Sequence, residues 1–165
     1  MVGGSWSRSV VEQCEQMQYG GDLWPVHPKL DEVHGRRCYR TIEDLPGVPD
    51  AVFIGVNRHL TIDLVKKLSS MNAGGAVCFA SGFSEAAAED DTAIDLQHQL
   101  VAAAADMPVI GPNCYGLINY LDGALLWPDQ HGGKRVQRGV AIITQSSNIA
   151  INITCLLYTS DAADE

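Results

Sequence analysis

The stretch DAVFIGVNRHLTIDLVKKLSSM, residues 50 to 71, contains the two hydrophobic periods that decide the fold. Its first part, DAVFIGV (50–56), is a short apolar run rich in β-branched and aromatic residues, which predicts a buried strand. Its second part has four apolar residues on one face of a helix: Ile62, Val65, Leu68 and Met71. A strand followed by an amphipathic helix is typical of an α/β domain.

The same alternation runs along the rest of the chain. Further buried strands are predicted at DLWPV (22–26), GAVCFA (75–80), MPVI (107–110) and GVAIIT (139–144). The helical patterns between them are a face formed by Val10, Val11, Cys14 and Met17 and a segment rich in helix formers, 84–106. Thr41 and Asp44 have the spacing of a capping box. The alternation predicts an α/β fold with a Rossmann-like, doubly wound parallel sheet.

Composition limits the classes of partner. The 165 residues are 46% hydrophobic, which is enough for roughly one α/β domain with a core. The formal charge is −9 and the basic cluster at 132–139 is small, so we expect no nucleic-acid partner. Five scattered cysteines without a CxxC pair predict neither a disulfide framework nor a metal site, and fit a cytoplasmic protein. No apolar run approaches the roughly 18 residues of a membrane span, so we expect no membrane partner.

Ligands of a parallel sheet bind at the carboxyl ends of its strands. We expect GGSWSRS (3–9) to follow a truncated first strand. The segments after the second to fifth strands are HPK (27–29), NRH (57–59), SGFS (81–84) and GPNCYG (111–116). The segment GGSWSRS opens a helix, so its backbone N–H groups favour a phosphate. It lacks the GxGxxG spacing of a dinucleotide site. An NAD site would also need an acid after the second strand, where this chain has His27 and Lys29.

The segment IGPNCYGLIN (110–119) predicts a rigid turn behind MPVI. Gly111 tolerates backbone angles that other residues avoid, Pro112 fixes its own φ, and Asn113 can bond its own backbone two residues on. Such a turn either holds side chains against a ligand or is an ordinary strand exit. These residues alone leave both interpretations open.

Six segments resemble, in order and spacing, the CoA-binding domain of NDP-forming acyl-CoA synthetases, which are similar to the succinyl-CoA synthetase alpha subunit. They are GGSWSRS (3–9), VHPKLDEVHGRRCY (26–39), DAVFIGV (50–56), ASGF (80–83), IGPNCYGLIN (110–119) and GVAIITQSSN (139–148). The resemblance covers residues 2–154, and its most specific parts are GPNC.G and QSS. It implies a parent ligase that joins a small carboxylic acid to coenzyme A with a nucleoside triphosphate, through an acyl phosphate and a phosphorylated histidine.

The resemblance also implies site residues. Those implied to contact CoA are Ser5, Trp6, Ser7 and Arg8 in the first loop, Lys29 at the phosphates, and Ala80, Ser81 and Gly82 around the adenine or pantetheine arm. Those implied to form the substrate or phosphate pocket are Asn113, Cys114, Ser146, Ser147 and Asn148. Gly116 would let the chain pass closely, whereas Ser147 stands where the family commonly has glycine. We expect Cys114 to be a pocket residue and not a nucleophile, because no sequence-adjacent base activates it.

No catalytic residue is expected in this chain. The family's phosphorylated histidine lies in a second domain, and no histidine here matches it: His27, His34, His59, His98 and His131. We expect His59 and His131 to be hydrogen-bonded loop residues. The resemblance implies that ATP or ADP and Mg²⁺ bind to a nucleotide-grasping domain or subunit outside this chain. The chain alone is therefore expected to be inactive as a ligase.

The expected organisation has three parts. Residues 1–133 form the CoA-binding domain with a shortened first strand, and 134–154 begin a flavodoxin-like ligase domain. The tail CLLYTSDAADE (155–165) resembles the translated read-through of a transposon-type sequencing adapter and is excluded from the fold prediction. Two other functions stay open at this point: a stand-alone CoA-binding protein without catalysis, and an NAD-binding Rossmann regulator.

Overall fold

The structure is a computed structural model that describes residues 1–156, with Leu156 placed by its backbone alone. In chain order its elements are β1 (Val2–Gly3), α1 (Ser5–Gln16), β2 (Glu32–Val33), β3 (Arg36–Arg37), β4 (Val52–Gly55), α2 (Arg58–Ser70), β5 (Ala76–Cys78), α3 (Ala93–Ala104), β6 (Val109–Ile110), β7 (Leu117–Asn119), β8 (Ala124–Leu126) and α4 (Ser147–Leu156). The first two residues of the predicted adapter-like tail, 155 and 156, end α4. The rest of the tail, 157–165, lies outside the described residues.

The central sheet is parallel and has the strand order β1-β4-β5-β6. Val2 lies opposite Ile54 in the register of β1 with β4. On its other side Val2 forms a parallel bridge with Val26, and Val26 forms another with Tyr39. The two-residue strand β1 is therefore central, and the order across the sheet is that of a doubly wound fold. The predicted fold class is confirmed.

The sheet is covered on both faces because successive residues of β4 point to opposite sides. Val52 and Ile54 pack in one cluster with side chains of α2 and α3, such as Val65 and Leu100. Phe53, which is fully buried, packs on the opposite face against Val10 of α1. The predicted face at α1 is buried: Val10, Val11, Cys14 and Met17. Of the face predicted for α2, Val65 and Leu68 are buried, whereas Ile62 and Met71 are only partly buried against the same cluster.

Side-chain caps decide where two of the helical segments begin. The Asn57 side chain accepts a hydrogen bond from the N–H of Leu60 at 3.0 Å and caps α2. The predicted capping box of Thr41 and Asp44 is present, around a single 3₁₀ turn.

The helix α3 begins at Ala93, nine residues later than the helix-forming segment 84–106 begins. The carboxylate of Asp90 accepts hydrogen bonds from the N–H of Thr92 at 2.9 Å and from its hydroxyl at 2.6 Å. These bonds satisfy a backbone donor outside a helix, which competes with helix formation. Ser84–Ala86 forms only a 3₁₀ turn.

Two predicted strands differ from the structure. DLWPV does not form a strand, and it joins the sheet through the isolated bridges of Val26 and a hydrogen bond from the Met1 amine to the carbonyl oxygen of Trp24. GVAIIT (139–144), predicted as a buried strand, is neither a strand nor buried, since Val140 is 90% and Ile143 100% exposed. The physical reason is that no strand among residues 1–156 lies beside this segment to complete a hydrogen-bond ladder.

Two antiparallel hairpins escaped the periodicity analysis. They are β2–β3 and β7–β8, whose strands are two or three residues long and too short to show a period. The first hairpin turns at His34 and Gly35, with φ of 49° and 72°. Positive φ at both central residues is what a tight two-residue hairpin turn requires.

Candidate functional site

The loops after neighbouring parallel strands meet at the carboxyl edge of the sheet. Two hydrogen bonds join them directly. The guanidinium of Arg58, after β4, donates to the carbonyl oxygen of Gly82, after β5, at 2.7 Å. The N–H of Asn113, after β6, donates to the carbonyl oxygen of Ala80 at 2.8 Å. These loops therefore form one continuous surface.

The N-terminus of α1 opens onto the same edge. Gly4 occupies the N-cap position and provides no side-chain cap. The first N–H to bond inside the helix is that of Arg8, which donates to the carbonyl oxygen of Gly4 at 3.3 Å. The N–H groups of Ser5, Trp6 and Ser7 are thus the open donors of the helix end, where the helix dipole favours an anion.

Two close contacts hold this loop against β4. Gly3 has a φ of 136°, and a Cβ atom there would lie 2.5 Å from the carbonyl oxygen of Gly55, so the position requires glycine. The hydroxyl of Ser7 is buried and donates to the carbonyl oxygen of Val2 at 2.8 Å. The Ser7 side chain therefore supports the loop from beneath, and its backbone N–H is the group left for a ligand. The other predicted loop residues, Ser5, Trp6 and Arg8, are exposed.

Lys29 is exposed on the loop that follows Val26, which is the neighbour of β1 in the sheet. Arg40 holds that loop in place, because its guanidinium donates to the carbonyl oxygens of Pro28 at 3.3 Å and Leu30 at 3.1 Å. The structure thus places a lysine ammonium group on the segment adjacent to the strand that leads into α1. Sequence reasoning missed Arg40, because no motif connects it to Lys29.

The segment 80–82 is fixed by Arg58 and its partners. Besides its bond to Gly82, Arg58 forms an ion pair with Asp90 at 2.6 Å. Hydrogen bonds from Thr92, and then from Arg58, lower the pKa of Asp90 to about 2. The pair is therefore ionised at neutral pH, and it ties the start of α2 to the loop after β5. The role of Arg58 was not apparent from the sequence, in which its partners are distant.

The predicted turn after β6 is present. Gly111 has a φ of 110°, and a Cβ atom there would lie 2.5 Å from the carbonyl oxygen of Cys78. Asn113 has a φ of 53°, and its N–H bonds to Ala80, while the N–H of Cys114 donates to the same Cys78 carbonyl at 3.4 Å. Burial raises the pKa of the Cys78 thiol to about 12, so this thiol is neutral. The turn therefore packs against the end of β5 and presents the exposed Asn113 side chain beside the segment 80–82.

Four aromatic rings run from this edge into the core. The ring centroids of Trp6 and Phe79 are 5.1 Å apart, those of Phe79 and Tyr115 5.5 Å, and those of Tyr115 and Trp127 5.3 Å. The inner end, Trp127, is buried, whereas Trp6 is 42% exposed. The indole of Trp6 is thus held from beneath by Phe79 and offers its free surface to a planar group. Phe79 and Tyr115 were not identified from the sequence, because their rings meet only in the folded chain.

The segment 145–148 lies at the start of α4. Ser146 Oγ accepts a hydrogen bond from the N–H of Ile149 at 3.4 Å, and Ala150 packs against the cluster formed by α1 and β8. None of the hydrogen bonds described within residues 1–156 joins this segment to Asn113. The two halves of the predicted substrate pocket are therefore not connected by a described hydrogen bond.

The histidines have ordinary surroundings. His59 is exposed at the start of α2. His131 is half-buried with Nδ1 3.0 Å from the hydroxyl of Tyr120, and burial lowers its pKa. Nδ1 of His27 accepts a hydrogen bond from the N–H of Lys29 at 3.2 Å. The contacts of His27 and His131 are local and structural.

Residues 1–156 contain neither a candidate metal cluster nor a candidate membrane-spanning helix. Within residues 1–156, no three His, Cys, Asp or Glu side chains are grouped so as to hold a metal ion. None of the helices in this part of the chain is long and apolar enough to cross a bilayer.

Comparison with known sequences gives a consistent result. The family described as CoA binding domain matches residues 3–120. The chain is 30% identical over 158 residues to a trans-feruloyl-CoA synthase from an unknown prokaryotic organism, covering 94% of this chain and 22% of that protein. It is 28% identical over 101 residues to the ADP-forming acetate–CoA ligase of Methanocaldococcus jannaschii, covering 61% of this chain and 14% of the ligase.

Solved structures agree with the sequence matches. A crystal structure of a Pyrococcus horikoshii protein superposes with a TM-score of 0.80 at 26% identity, covering 93% of this chain and 34% of the other. The dinucleotide-forming acetyl-coenzyme A synthetase 1 of Ca. Korarchaeum cryptofilum, in complex with phosphate and ADP, superposes with a TM-score of 0.75 at 27% identity, covering 96% and 34% of the two chains. The chain thus spans about a third or less of the proteins that it matches.

Proposed function

The chain belongs to the CoA binding domain family, and on that premise we propose that it binds coenzyme A at the carboxyl edge of its sheet. The observation that carries the proposal is the open N-terminus of α1, which has no side-chain cap and lies after the central strand β1. Three N–H donors at a helix end, together with the dipole, suit the phosphates of CoA.

Charge and shape around this helix end support the assignment. Lys29 supplies a cation on the segment next to β1, and ammonium groups bind phosphate as point charges. We assign the exposed rings and loops near it to the rest of the ligand: Trp6 to a planar group, and Ala80, Ser81 and Gly82 to the adenine or pantetheine arm. Ser81 is exposed and Gly82 is held by Arg58, so this segment offers backbone groups at a fixed position.

The wider reaction follows from the relatives. The chain is homologous to ADP-forming acid–CoA ligases. We propose that it is the CoA-binding part of such a ligase, in which acid, CoA and a nucleoside triphosphate give acyl-CoA, NDP and phosphate through an acyl phosphate and a phosphohistidine. Asn113 and Cys114, with the segment 146–148, would border the acyl group and phosphate. ATP or ADP and Mg²⁺ would bind to other parts of the parent enzyme.

Calorimetric titration of the chain with CoA and with NAD tests the binding assignment. We expect CoA to bind more tightly than NAD, because Val26, the sheet neighbour of β1, is followed by Lys29 and not by the carboxylate that holds an NAD ribose. Lys29→Ala should weaken CoA binding by about 5- to 30-fold, the equivalent of one or two kcal/mol. Lys66→Ala, which removes an exposed lysine of α2, is the matched control and should leave affinity unchanged.

Three outcomes separate this proposal from its alternatives. Tighter binding of NAD than of CoA would favour a Rossmann regulator. Equal loss from Lys29→Ala and Lys66→Ala would remove Lys29 from the site. The chain alone should form no acyl-CoA from acetate, CoA and ATP with Mg²⁺, and formation above a blank would contradict its assignment as one part of the ligase.

A further inference from the structure

One arginine holds the backbone on both sides of Lys29. The guanidinium of Arg40 donates hydrogen bonds to the carbonyl oxygens of Pro28 at 3.3 Å and Leu30 at 3.1 Å. A planar guanidinium can bind several acceptors in a fixed geometry, which the compact ammonium group of a lysine does not do. The carbonyl groups on either side of Lys29 are therefore fixed, although no strand forms there. We refer to residues 27–31 as the lysine loop.

The backbone that carries Arg40 is itself attached to the sheet. Tyr39, the residue before it, forms a parallel bridge with Val26, and its carbonyl oxygen accepts a hydrogen bond from the N–H of His27 at 2.9 Å. Because this pairing is parallel, Arg40 lies beside the start of the lysine loop at the carboxyl edge of the sheet. Nδ1 of His27 also accepts the N–H of Lys29 at 3.2 Å. The backbone at Lys29 is thus held by side chains from two anchored positions.

The same guanidinium engages the acidic residue of the lysine loop. Arg40 forms an ion pair with the carboxylate of Asp31, which lies two positions after Lys29. A carboxylate so near in the sequence is within reach of the long lysine side chain. Among the ion pairs described within residues 1–156, none includes Lys29. Arg40 therefore occupies the carboxylate that would otherwise compete with a ligand phosphate for the Lys29 ammonium group.

We propose that Arg40 is a positioning residue for Lys29, which fixes the lysine loop and keeps the Asp31 carboxylate away from the ammonium group that binds a phosphate of CoA. This inference rests on the proposed function. A loop that is ordered before the ligand arrives loses less conformational entropy on binding. A carboxylate beside the ammonium group would also cancel part of its attraction to a phosphate. Arg40 thus raises the affinity for CoA without contacting CoA.

Calorimetric titration of single variants with CoA is the first test. Arg40→Ala should weaken CoA binding about 3- to 10-fold, and no more than Lys29→Ala does, because it acts through Lys29. Arg40→Lys keeps the charge without the fork and should also weaken binding. Arg37→Ala is the matched control, because it removes an exposed arginine of β3 whose guanidinium carbon lies 5.2 Å from the ring centroid of Tyr39, and it should leave the affinity unchanged.

Two combinations separate positioning from a merely structural role. In a Lys29→Ala chain, Arg40→Ala should cause no further loss of CoA affinity, because no ammonium group is left to position. In an Arg40→Ala chain, Asp31→Asn should raise the affinity about 2-fold, because the released carboxylate no longer pairs with Lys29. The same Asp31→Asn change should raise the affinity less when Arg40 is present, since the carboxylate is then already paired.

The outcomes distinguish this inference from the proposed function. If the unmodified chain binds CoA but Arg40→Ala binds it equally well, the positioning role is wrong. Equal losses from Arg40→Ala with and without Lys29, or full affinity in Arg40→Lys, would show that Arg40 acts through its own charge and would also overturn it. Failure of the unmodified chain to bind CoA would contradict the proposed function, and this inference with it. Circular dichroism melts control for folding, and Arg40→Lys replaces Arg40→Ala in both combinations if the alanine variant does not fold.

Discussion

Replacement of Gly116 by alanine tests whether the backbone after β6 lies in close contact with Leu126 of β8. Gly116 has a φ of 116°, a region in which an alanine is strained by about 1–3 kcal/mol. An added Cβ atom would also overlap the carbonyl oxygen of Leu126 and lie 3.1 Å from Val77 Cγ1. Leu126 is the register partner of Leu117 in the β7–β8 hairpin, so moving it weakens a hydrogen-bonded pair by about 1 kcal/mol.

These two effects add to about 2–4 kcal/mol. For a chain of this size, each kcal/mol shifts the melting temperature by about 2–4 °C, so Gly116→Ala should melt about 5–15 °C lower. Circular dichroism melts measure the shift. Gly20→Ala is the control, because a Cβ atom at Gly20 meets nothing within 4 Å and its effect should stay within about 0.5 kcal/mol. If both variants melt within about 1 °C of each other, the argued contact with Leu126 is absent.

Two further predictions concern charged groups. Arg58→Ala should weaken CoA binding about tenfold or more, because the carbonyl oxygen of Gly82 loses a charged donor. The control Lys67→Ala removes the exposed ion pair with Glu43 and should leave CoA affinity unchanged. Titration calorimetry measures both affinities, and equal values would contradict the role of Arg58. The pKa of the Met1 amine is about 5 in the folded chain, against an ordinary value of 8.0. The unfolded chain therefore binds this proton at a higher pH than the folded chain does. The free energy of unfolding should fall by up to about 4 kcal/mol as pH drops from 8 to 5. Urea denaturation of the unmodified and the N-acetylated chain checks this, in a His131→Gln background that removes a histidine whose pKa burial also lowers. Equal pH slopes would mean that the amine is solvated.

The parts of the fold that could be predicted are those fixed by local sequence. The apolar run at 52–55 and the face of Val65 and Leu68 each signal burial within a few residues, and both were identified correctly. GVAIIT (139–144) shows the limit of this reasoning. Its short apolar, β-branched run is typical of a strand, but a strand needs a hydrogen-bonded neighbour, and the sequence of a segment does not specify one.

The same distinction applies to the candidate site. The turn at Gly111 and Asn113 was predictable, because each residue's own backbone preference shapes it. The clamp of Arg58 on Gly82 and the contact of Trp6 with Phe79 were not, because their partners are brought together only by the order of the strands. The hydrogen bond of the Ser7 hydroxyl to Val2 also escaped prediction, since serine is equally plausible as a ligand contact and as a buried donor.

Met1 and the candidate CoA site lie at opposite ends of the same short strand. Met1 forms hydrogen bonds with Trp24 and Val26 at the amino end, and Gly4 occupies the N-cap position of α1 at the other end. Between them, the carbonyl oxygen of Val2 accepts a hydrogen bond from the hydroxyl of Ser7, so a displacement of β1 moves the first turn of α1 with it. Because the open N–H groups of that turn are the proposed phosphate donors, their position depends on how firmly β1 is held. The hydrogen bonds at the amino end of β1 therefore stabilise the core and orient the proposed CoA loop together.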